Sequence, residues 1–214
     1  MHDTAMMSGA LFGKVYGKEG MKVLDVGGLD VNGSLRKPFE QLLKINYTSL
    51  DIEEHPSVDV VMKPGDLFPF PDESFDLIVS TSCFEHDPCF WMTFREMGRI
   101  IKKGGYIYVN APSNGPYHEH PGDNWRFYSD AGQALAYWSG KTLDGKSYPV
   151  KVEETFHILP PPGGFWIDFV SVWKRVDEKE ENIRLSNEFK MKYGPLRKAL
   201  TEANLQTQGI IYVQ

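Results

Sequence analysis

The chain has 214 residues, a net charge of -6 at pH 7 and a pI near 5.5, with 41% hydrophobic and 24% charged residues. These values are typical of one globular domain, and the acidic balance argues against broad electrostatic capture of nucleic acid. Two cysteines, Cys83 and Cys89, are too few for a disulfide framework, and no apolar run approaches the ~20 residues of a membrane span. With no secretory signal visible in the first twenty residues, we expect a cytoplasmic protein without membrane association.

Short apolar runs alternate with helix-like segments between Met21 and Ser113. This alternation indicates βαβ units around a parallel sheet. A helix is expected from about Pro38, and a second over 90–101 capped by Lys103-Gly104-Gly105. The predicted strands are 22–26, 47–51, 58–62, 75–80 and 106–110.

The pattern changes after Pro112. A long ordered loop is expected over 113–130, followed by a helix over 131–138 with Asp130 and Gln133 as a capping box. Residues 150–158 and 165–173 read as two strands, with Trp166 on a face of the second. The segment 177–204 is charged and helix-prone, which is typical of a solvated helix but leaves a homodimer contact or an active-site lid open.

Together these elements predict a doubly wound α/β fold with a seven-stranded, mostly parallel sheet and a C-terminal helical tail. The predicted organisation is one domain over 1–176, with an acceptor loop at 113–130, and a charged helical extension of the same domain over 177–214.

Acidic residues and glycines follow the first strands at the points where ligands bind in such sheets. Asp25-Val26-Gly27-Gly28 ends the first strand, and Asp51 ends the second at the separation expected of a carboxylate that bonds ribose hydroxyls. Gly65-Asp66-Leu67 follows the third, where the aspartate would reach an adenine amino group.

With these features in order, the chain resembles the class I methyltransferases, in particular the small-molecule branch called methyltransferase-11. The resemblance covers about 21–113 and includes Asp66-Leu67-Phe68-Pro69-Phe70-Pro71-Asp72, Phe84-Glu85-His86 and the 99–105 stretch. It implies S-adenosylmethionine as cofactor, and one departure stands out, since Leu29 occupies a position where the family usually has glycine. The implied cofactor-binding residues are Asp25, Gly27, Gly28, Asp51, Ile52, Asp66, Leu67 and Ser80.

Methyl transfer to oxygen or nitrogen is helped by a base that takes the acceptor's proton. Histidine suits that role near neutrality, and the candidates are His120, His118 and His86. The same loop offers possible acceptor contacts, although the alternative reading is that its aromatic and arginine side chains only brace the loop. The predicted substrate-binding residues are Tyr117, Trp125, Arg126 and Tyr128.

Other site types are disfavoured by spacing. No register of Gly27, Gly28 and Gly33 gives the Gly-x-Gly-x-x-Gly of a nicotinamide-dependent dehydrogenase. Cys83, His86, Asp87 and Cys89 are clustered, but structural zinc usually needs a second ligand pair, so no metal is predicted. The Asn/Asp-Pro-Pro-aromatic motif of amino methyltransferases acting on nucleic acid is absent after the fourth predicted strand.

The sequence therefore predicts methyl transfer from S-adenosylmethionine to oxygen or nitrogen of a small polar metabolite, such as a sugar or a natural product. A catalytically weak cofactor-binding protein of the same fold is the alternative, and a nucleic-acid methyltransferase is a more distant one.

Overall fold

The computed structural model describes residues 3–177 and 194–207. They form one seven-stranded sheet with the strand order β3-β2-β1-β4-β5-β7-β6. The first five strands run parallel, while β7 pairs antiparallel with both β5 and β6. The elements in chain order are α1 (Asp3–Tyr16), β1 (Lys22–Val26), α2 (Arg36–Leu43), β2 (Asn46–Asp51), β3 (Val60–Val61), β4 (Phe75–Thr81), α3 (Phe90–Ile100), β5 (Ile101–Pro112), α4 (Ala131–Ser139), β6 (Val150–Ile158), β7 (Asp168–Arg175) and α5 (Pro195–Thr207).

Helices cover both faces of the sheet, as a doubly wound fold requires. On one face, α1, α2 and α5 pack over the central strands through side chains such as Phe12, Phe39 and Leu200. On the other face, Phe94 and Met97 of α3 join α4 in a second apolar cluster. The predicted fold class is thereby confirmed, including the C-terminal helix.

Several predicted boundaries differ from the observed ones. Lys103-Gly104-Gly105 does not cap α3, because the helix ends at Ile100 and β5 already pairs with Phe75 of β4 through Ile101. The extra residues of β5 are absorbed by a register shift beside Gly104, whose φ is +79°. The predicted capping box is absent too, since Asp130 makes no side-chain cap hydrogen bond.

The C-terminal helix is anchored by a buried carboxylate from the sheet. Glu154 of β6 is fully buried and accepts hydrogen bonds from the backbone N–H groups of Gly194, Leu196 and Arg197 at the start of α5. A carboxylate is favourable there because the first N–H groups of a helix lack intrahelical partners. Residues 178–193, where most of the charged segment lies, are outside the described residues. The domain boundary at 176 and the homodimer contact stay predictions.

Among the described residues, no helix is both long enough and apolar enough to cross a membrane.

Candidate active site

A cavity of about 840 Å³ opens where β1, β2, β4 and β5 end. Its walls include Val26, Leu50, Thr81 and Pro112 from the ends of these strands. Ligands of doubly wound sheets bind at this edge, and a volume of this order is typical of small-molecule sites. The cavity therefore defines the candidate active site, and its two ends differ in chemistry.

The turn after β1 forms one end. Gly27 has a φ of +78°, and a Cβ placed on it would lie 2.5 Å from both Cβ and Sγ of Cys83. The N–H groups of Gly27 and Gly28 both donate to the Leu50 carbonyl, at 2.9 and 3.2 Å. A turn without side chains is thus held against the neighbouring loop, leaving a cradle in which a ligand can contact backbone.

Asp51 stands at the same end, beyond β2. Its Oδ2 accepts a 3.0 Å hydrogen bond from the Leu29 N–H, and its Oδ1 accepts from the N–H groups of Ile52 and Glu53 at 2.7 and 3.2 Å. Because each carboxylate oxygen has two lone pairs, the side chain retains acceptor capacity toward the cavity that it lines. Leu29 and Ile52 line the same wall.

Asp25 lies beneath the turn rather than in the cavity wall. It is 2% exposed, its Oδ2 accepts a 2.6 Å hydrogen bond from the Tyr47 hydroxyl, and its Oδ1 has no partner among the described residues. Burial raises the pKa of this carboxyl to about 6, against the lowering effect of the Tyr47 hydrogen bond.

The remaining predicted cofactor residues are not brought to the cavity. Asp66 is exposed and Leu67 is 76% exposed, while their neighbours Gly65 and Phe68 line the wall. Ser80 is fully buried within β4, and the lining begins with Thr81. Gly28 is also outside the lining, although Gly27 is in it.

The three predicted histidines meet at the other end of the cavity, where His86, His118 and His120 all line the wall. The rings of His86 and His118 lie edge to face with their centroids 5.0 Å apart. Nδ1 of His86 is hydrogen-bonded to the Gly122 carbonyl, and burial lowers the pKa of His86. His120 is exposed at the cavity wall.

Sequence reasoning missed Glu85, which lies between the histidines and the core. Its side chain is 1% exposed, its Oε1 lies 3.6 Å from Nε2 of His86, and its Oε2 has no partner among the described residues. Burial raises the pKa of Glu85 to about 8. The one signal in the sequence for a role of Glu85 in the site was its position next to His86. It was missed because the sequence does not show that an acidic residue in a loop is buried.

An ion pair holds the histidine-bearing loop. Nη1 and Nη2 of Arg126 both contact the carboxylate of Asp123, which is 1% exposed, and Arg126 also donates to the Pro116 carbonyl at 2.9 Å. The hydrogen bond from Arg126 lowers the pKa of Asp123, and the Asp123 carboxylate raises that of Arg126. Arg126 is outside the cavity lining, and these contacts favour the bracing role over contact with an acceptor.

The aromatic residues of the loop face elsewhere. Trp125 donates from its indole N–H to the Asp87 carbonyl at 2.9 Å and packs against Phe90, while Tyr117 and Tyr128 are 69% and 70% exposed. None of the three lines the cavity.

Trp166 is a second residue that sequence reasoning missed as a wall of the site. It was expected on a strand over 165–173, but β7 begins at Asp168 and Trp166 lies in the preceding connection, where it lines the cavity. Its ring is 5.0 Å from that of His118, and Gly115 leaves room for it, since a Cβ there would come within 1.9 Å of the indole. The Gly163-Gly164 pair before it was the sequence signal for a connection rather than a strand.

Comparison with known proteins finds similarity to methyltransferases. Residues 24–109 match the family described as "Methyltransferase domain". A ribosomal protein L11 methyltransferase from Thermosipho africanus is 32% identical over 120 residues, which is 52% of this chain and 45% of that protein. The chain thus spans less than half the length of this curated relative.

Solved structures with low identity share the fold. A methyltransferase of Burkholderia thailandensis, solved with 1,6-didemethyltoxoflavin and S-adenosylhomocysteine, is 17% identical with a TM-score of 0.60, covering 81% of this chain and 79% of that one. A complex of the Haloferax volcanii Trm112 methyltransferase activator with a methyltransferase contains a match with 17% identity and a TM-score of 0.58, covering 81% and 90%.

Proposed function

Because residues 24–109 of this chain match the family described as "Methyltransferase domain", we propose that the protein uses S-adenosylmethionine to methylate an oxygen or nitrogen atom of a small polar molecule. The observation that carries the proposal is that one cavity joins the Gly27 and Asp51 end to the histidine end. Cofactor and acceptor would therefore share one cavity.

The residues at the first end fit the cofactor. The Gly27 cradle is one that a Cβ would fill, and Asp51 presents a carboxylate to the wall, where ribose hydroxyls would donate to it. When bound there, S-adenosylmethionine supplies a methyl group on a positively charged sulfur.

At the second end, the protein's task is to hold the acceptor and to take its proton. In the proposed transfer, the acceptor's lone pair would form the new bond to the methyl carbon while the carbon–sulfur bond broke, and the electron pair of that bond would stay on sulfur. His120, exposed at the cavity wall, is our candidate to receive the proton that the acceptor loses. The ion pair of Arg126 with Asp123 keeps the loop that carries His118 and His120 in place, and alignment of the reacting atoms is the main requirement of such a displacement.

A small acceptor suits the histidine end, where the 118–122 segment and Trp166 line the cavity. The curated relative from Thermosipho africanus is named for a ribosomal protein, so a protein side chain inserted into the cavity is the second candidate acceptor.

Calorimetric titration with S-adenosylmethionine, S-adenosylhomocysteine and NAD tests the cofactor half of the proposal. We expect both sulfur ligands to bind, NAD not to bind, and Asp51→Ala to weaken binding. Glu19→Ala is the matched control, because it removes the same charge at a surface ion pair with Lys44 outside the cavity. Failure of both sulfur ligands to bind would overturn the proposal.

Product formation separates an enzyme from a binding protein. Release of S-adenosylhomocysteine over time in an acceptor screen supports turnover, whereas stoichiometric binding without release supports the cofactor-binding alternative. With an acceptor in hand, His120→Ala should lower kcat by roughly 100-fold or more, while His55→Ala, outside the cavity, should not.

A further inference from the structure

We propose that Glu85, His86 and His118 bind one divalent transition-metal ion at the acceptor end of the cavity. One ligand atom from each residue lies within 4.8 Å of the other two. Ligand atoms at about 2.1 Å from one ion in tetrahedral geometry are about 3.4 Å apart, so the most distant pair has to draw together by up to about 1.4 Å.

The carboxyl group of Glu85 lacks a partner that a cation could supply. It is 1% exposed, and its Oε2 has no hydrogen-bond partner among the described residues. A buried acceptor without a partner is costly, and a cation in the adjoining cavity would remove that cost. The chain around it is fixed, because the Glu85 carbonyl accepts the N–H groups of Asn124 and Trp125 at 2.7 and 3.1 Å.

Both histidines are oriented through the ring nitrogen that would not bind the metal. Nδ1 of His86 is hydrogen-bonded to the Gly122 carbonyl, and Nδ1 of His118 lies 3.2 Å from Oδ2 of Asp123. Metal-binding histidines usually donate one ring N–H to a carbonyl or carboxylate in this way, which leaves the other nitrogen as the ligand. Nε2 of His86 indeed faces Glu85, at 3.6 Å.

The ligand set selects the class of ion. Two imidazoles and one carboxylate suit Zn²⁺, Fe²⁺, Co²⁺ or Mn²⁺, whereas Mg²⁺ and Ca²⁺ prefer oxygen ligands throughout. Three protein ligands leave coordination positions open, as in catalytic sites. The sequence did not predict a metal, because the cluster it offered combined Cys83, His86, Asp87 and Cys89, while the third ligand of the structural group comes from a loop 32 residues after His86.

Glu85, His86 and His118 all line the cavity, so an acceptor oxygen bound to an ion that they held would be polarised and would lose its proton more readily. This consequence rests on the proposed function, because it requires an acceptor in the cavity. It narrows the acceptor to a molecule that presents a hydroxyl to the ion.

The test is metal binding by the full chain, freed of any affinity tag, treated with a chelator and then desalted. Titration with Co²⁺ is followed by visible absorbance, and titration with Zn²⁺ by calorimetry. We expect one ion per chain, and at least about tenfold weaker binding in Glu85→Gln and in His118→Ala. His55→Ala, whose ring contacts Ser57 outside the cavity, should bind as the unaltered chain does.

Lack of saturable binding, or binding that both Glu85→Gln and His118→Ala retain, would overturn the metal site. Glu85→Gln keeps the shape of the side chain and decides the matter alone if His118→Ala does not fold, as judged by circular dichroism. S-adenosylhomocysteine binding to the chelated protein is measured separately, so failure of the proposed function is distinguishable from failure of the metal site.

Discussion

The backbone N–H of Leu29 donates a 3.0 Å hydrogen bond to Oδ2 of Asp51, which ties the turn after β1 to the end of β2. Leu29 stands where the family usually has glycine, and it stabilises the turn through its backbone N–H and not through its side chain. Leucine is compatible with that role because its φ is not positive, in contrast to Gly27. The same carboxylate is the predicted ribose acceptor, so loop order and cofactor binding depend on one side chain.

Asp51→Ala should therefore lower stability even without a ligand. Three N–H groups lose a charged acceptor, and because the site is partly open to water we expect the free energy of unfolding to fall by about 1–2 kcal/mol. Asp51→Asn retains one acceptor oxygen and should lose less. Urea denaturation of the three proteins is the measurement, and equal stability of all three would contradict this role.

Gly27→Ala should abolish cofactor binding and destabilise the fold. Its Cβ would lie 2.5 Å from two atoms of Cys83, and the residue would keep a φ of +78°. Gly104→Ala is a matched control, since Gly104 has a φ of +79° but no atom within 4 Å of the added Cβ. Both variants carry the same backbone strain, of about 1–3 kcal/mol, so the difference between them isolates the steric clash.

Thermal denaturation and S-adenosylhomocysteine titration of both variants measure that difference. If Gly27→Ala were as stable as Gly104→Ala and bound the ligand with unchanged affinity, the absence of a side chain at Gly27 would not be needed for the fold or for binding.

The sequence predicted the sheet better than the site. Strand β1 was predicted at its observed bounds, since a buried parallel strand is a continuous apolar run that glycines terminate. Strand β5 was predicted seven residues short, five of them at its start, because Lys102 to Gly105 look like a helix cap and only pairing with β4 makes them a strand. The local sequence pattern is sufficient to predict β1, whereas the start of β5 depends on pairing with another strand.

For the site, the sequence identified the three histidines that the structure brings to one cavity, because they lie in loops that follow strands of the same sheet. Glu85 and Trp166 were not predicted as site residues. The burial of Glu85 depends on the folding of the 122–126 segment over it, and the position of Trp166 depends on a close approach to Gly115 from a distant part of the chain.

Asp25 should make stability depend on pH. Burial raises its pKa to about 6 in the folded protein, from about 3.9 in an unfolded chain. The folded state therefore holds the proton more tightly, and stability is lost as the pH rises from about 4 through 6, by up to about 3 kcal/mol in total. Asp25→Asn cannot ionise and still accepts the Tyr47 hydroxyl, so it should escape this loss.

Urea denaturation at pH 5 and pH 8 tests this expectation. The advantage of Asp25→Asn over the unaltered chain should grow by about 1 kcal/mol between the two pH values. An advantage that shrinks with rising pH would mean that the folded protein favours the carboxylate instead.

Replacing Arg126, which is paired with Asp123, tests whether this arginine braces the loop or binds an anionic acceptor. Arg126→Gln leaves a carboxylate that is 1% exposed without its main partner, so we expect a loss of about 2–3 kcal/mol in unfolding free energy and faster proteolysis within 113–130. Much of that loss comes from the buried Asp123 carboxylate left without its partner, so the double variant Arg126→Gln with Asp123→Asn should recover about 1 kcal/mol or more of unfolding free energy.

Lys198→Gln, whose ion pair with Glu202 is exposed on α5, is the control and should change stability by less than about 0.5 kcal/mol. If Arg126→Gln left stability unchanged and instead raised KM for the acceptor, the guanidinium would be a substrate contact and the bracing role would be wrong.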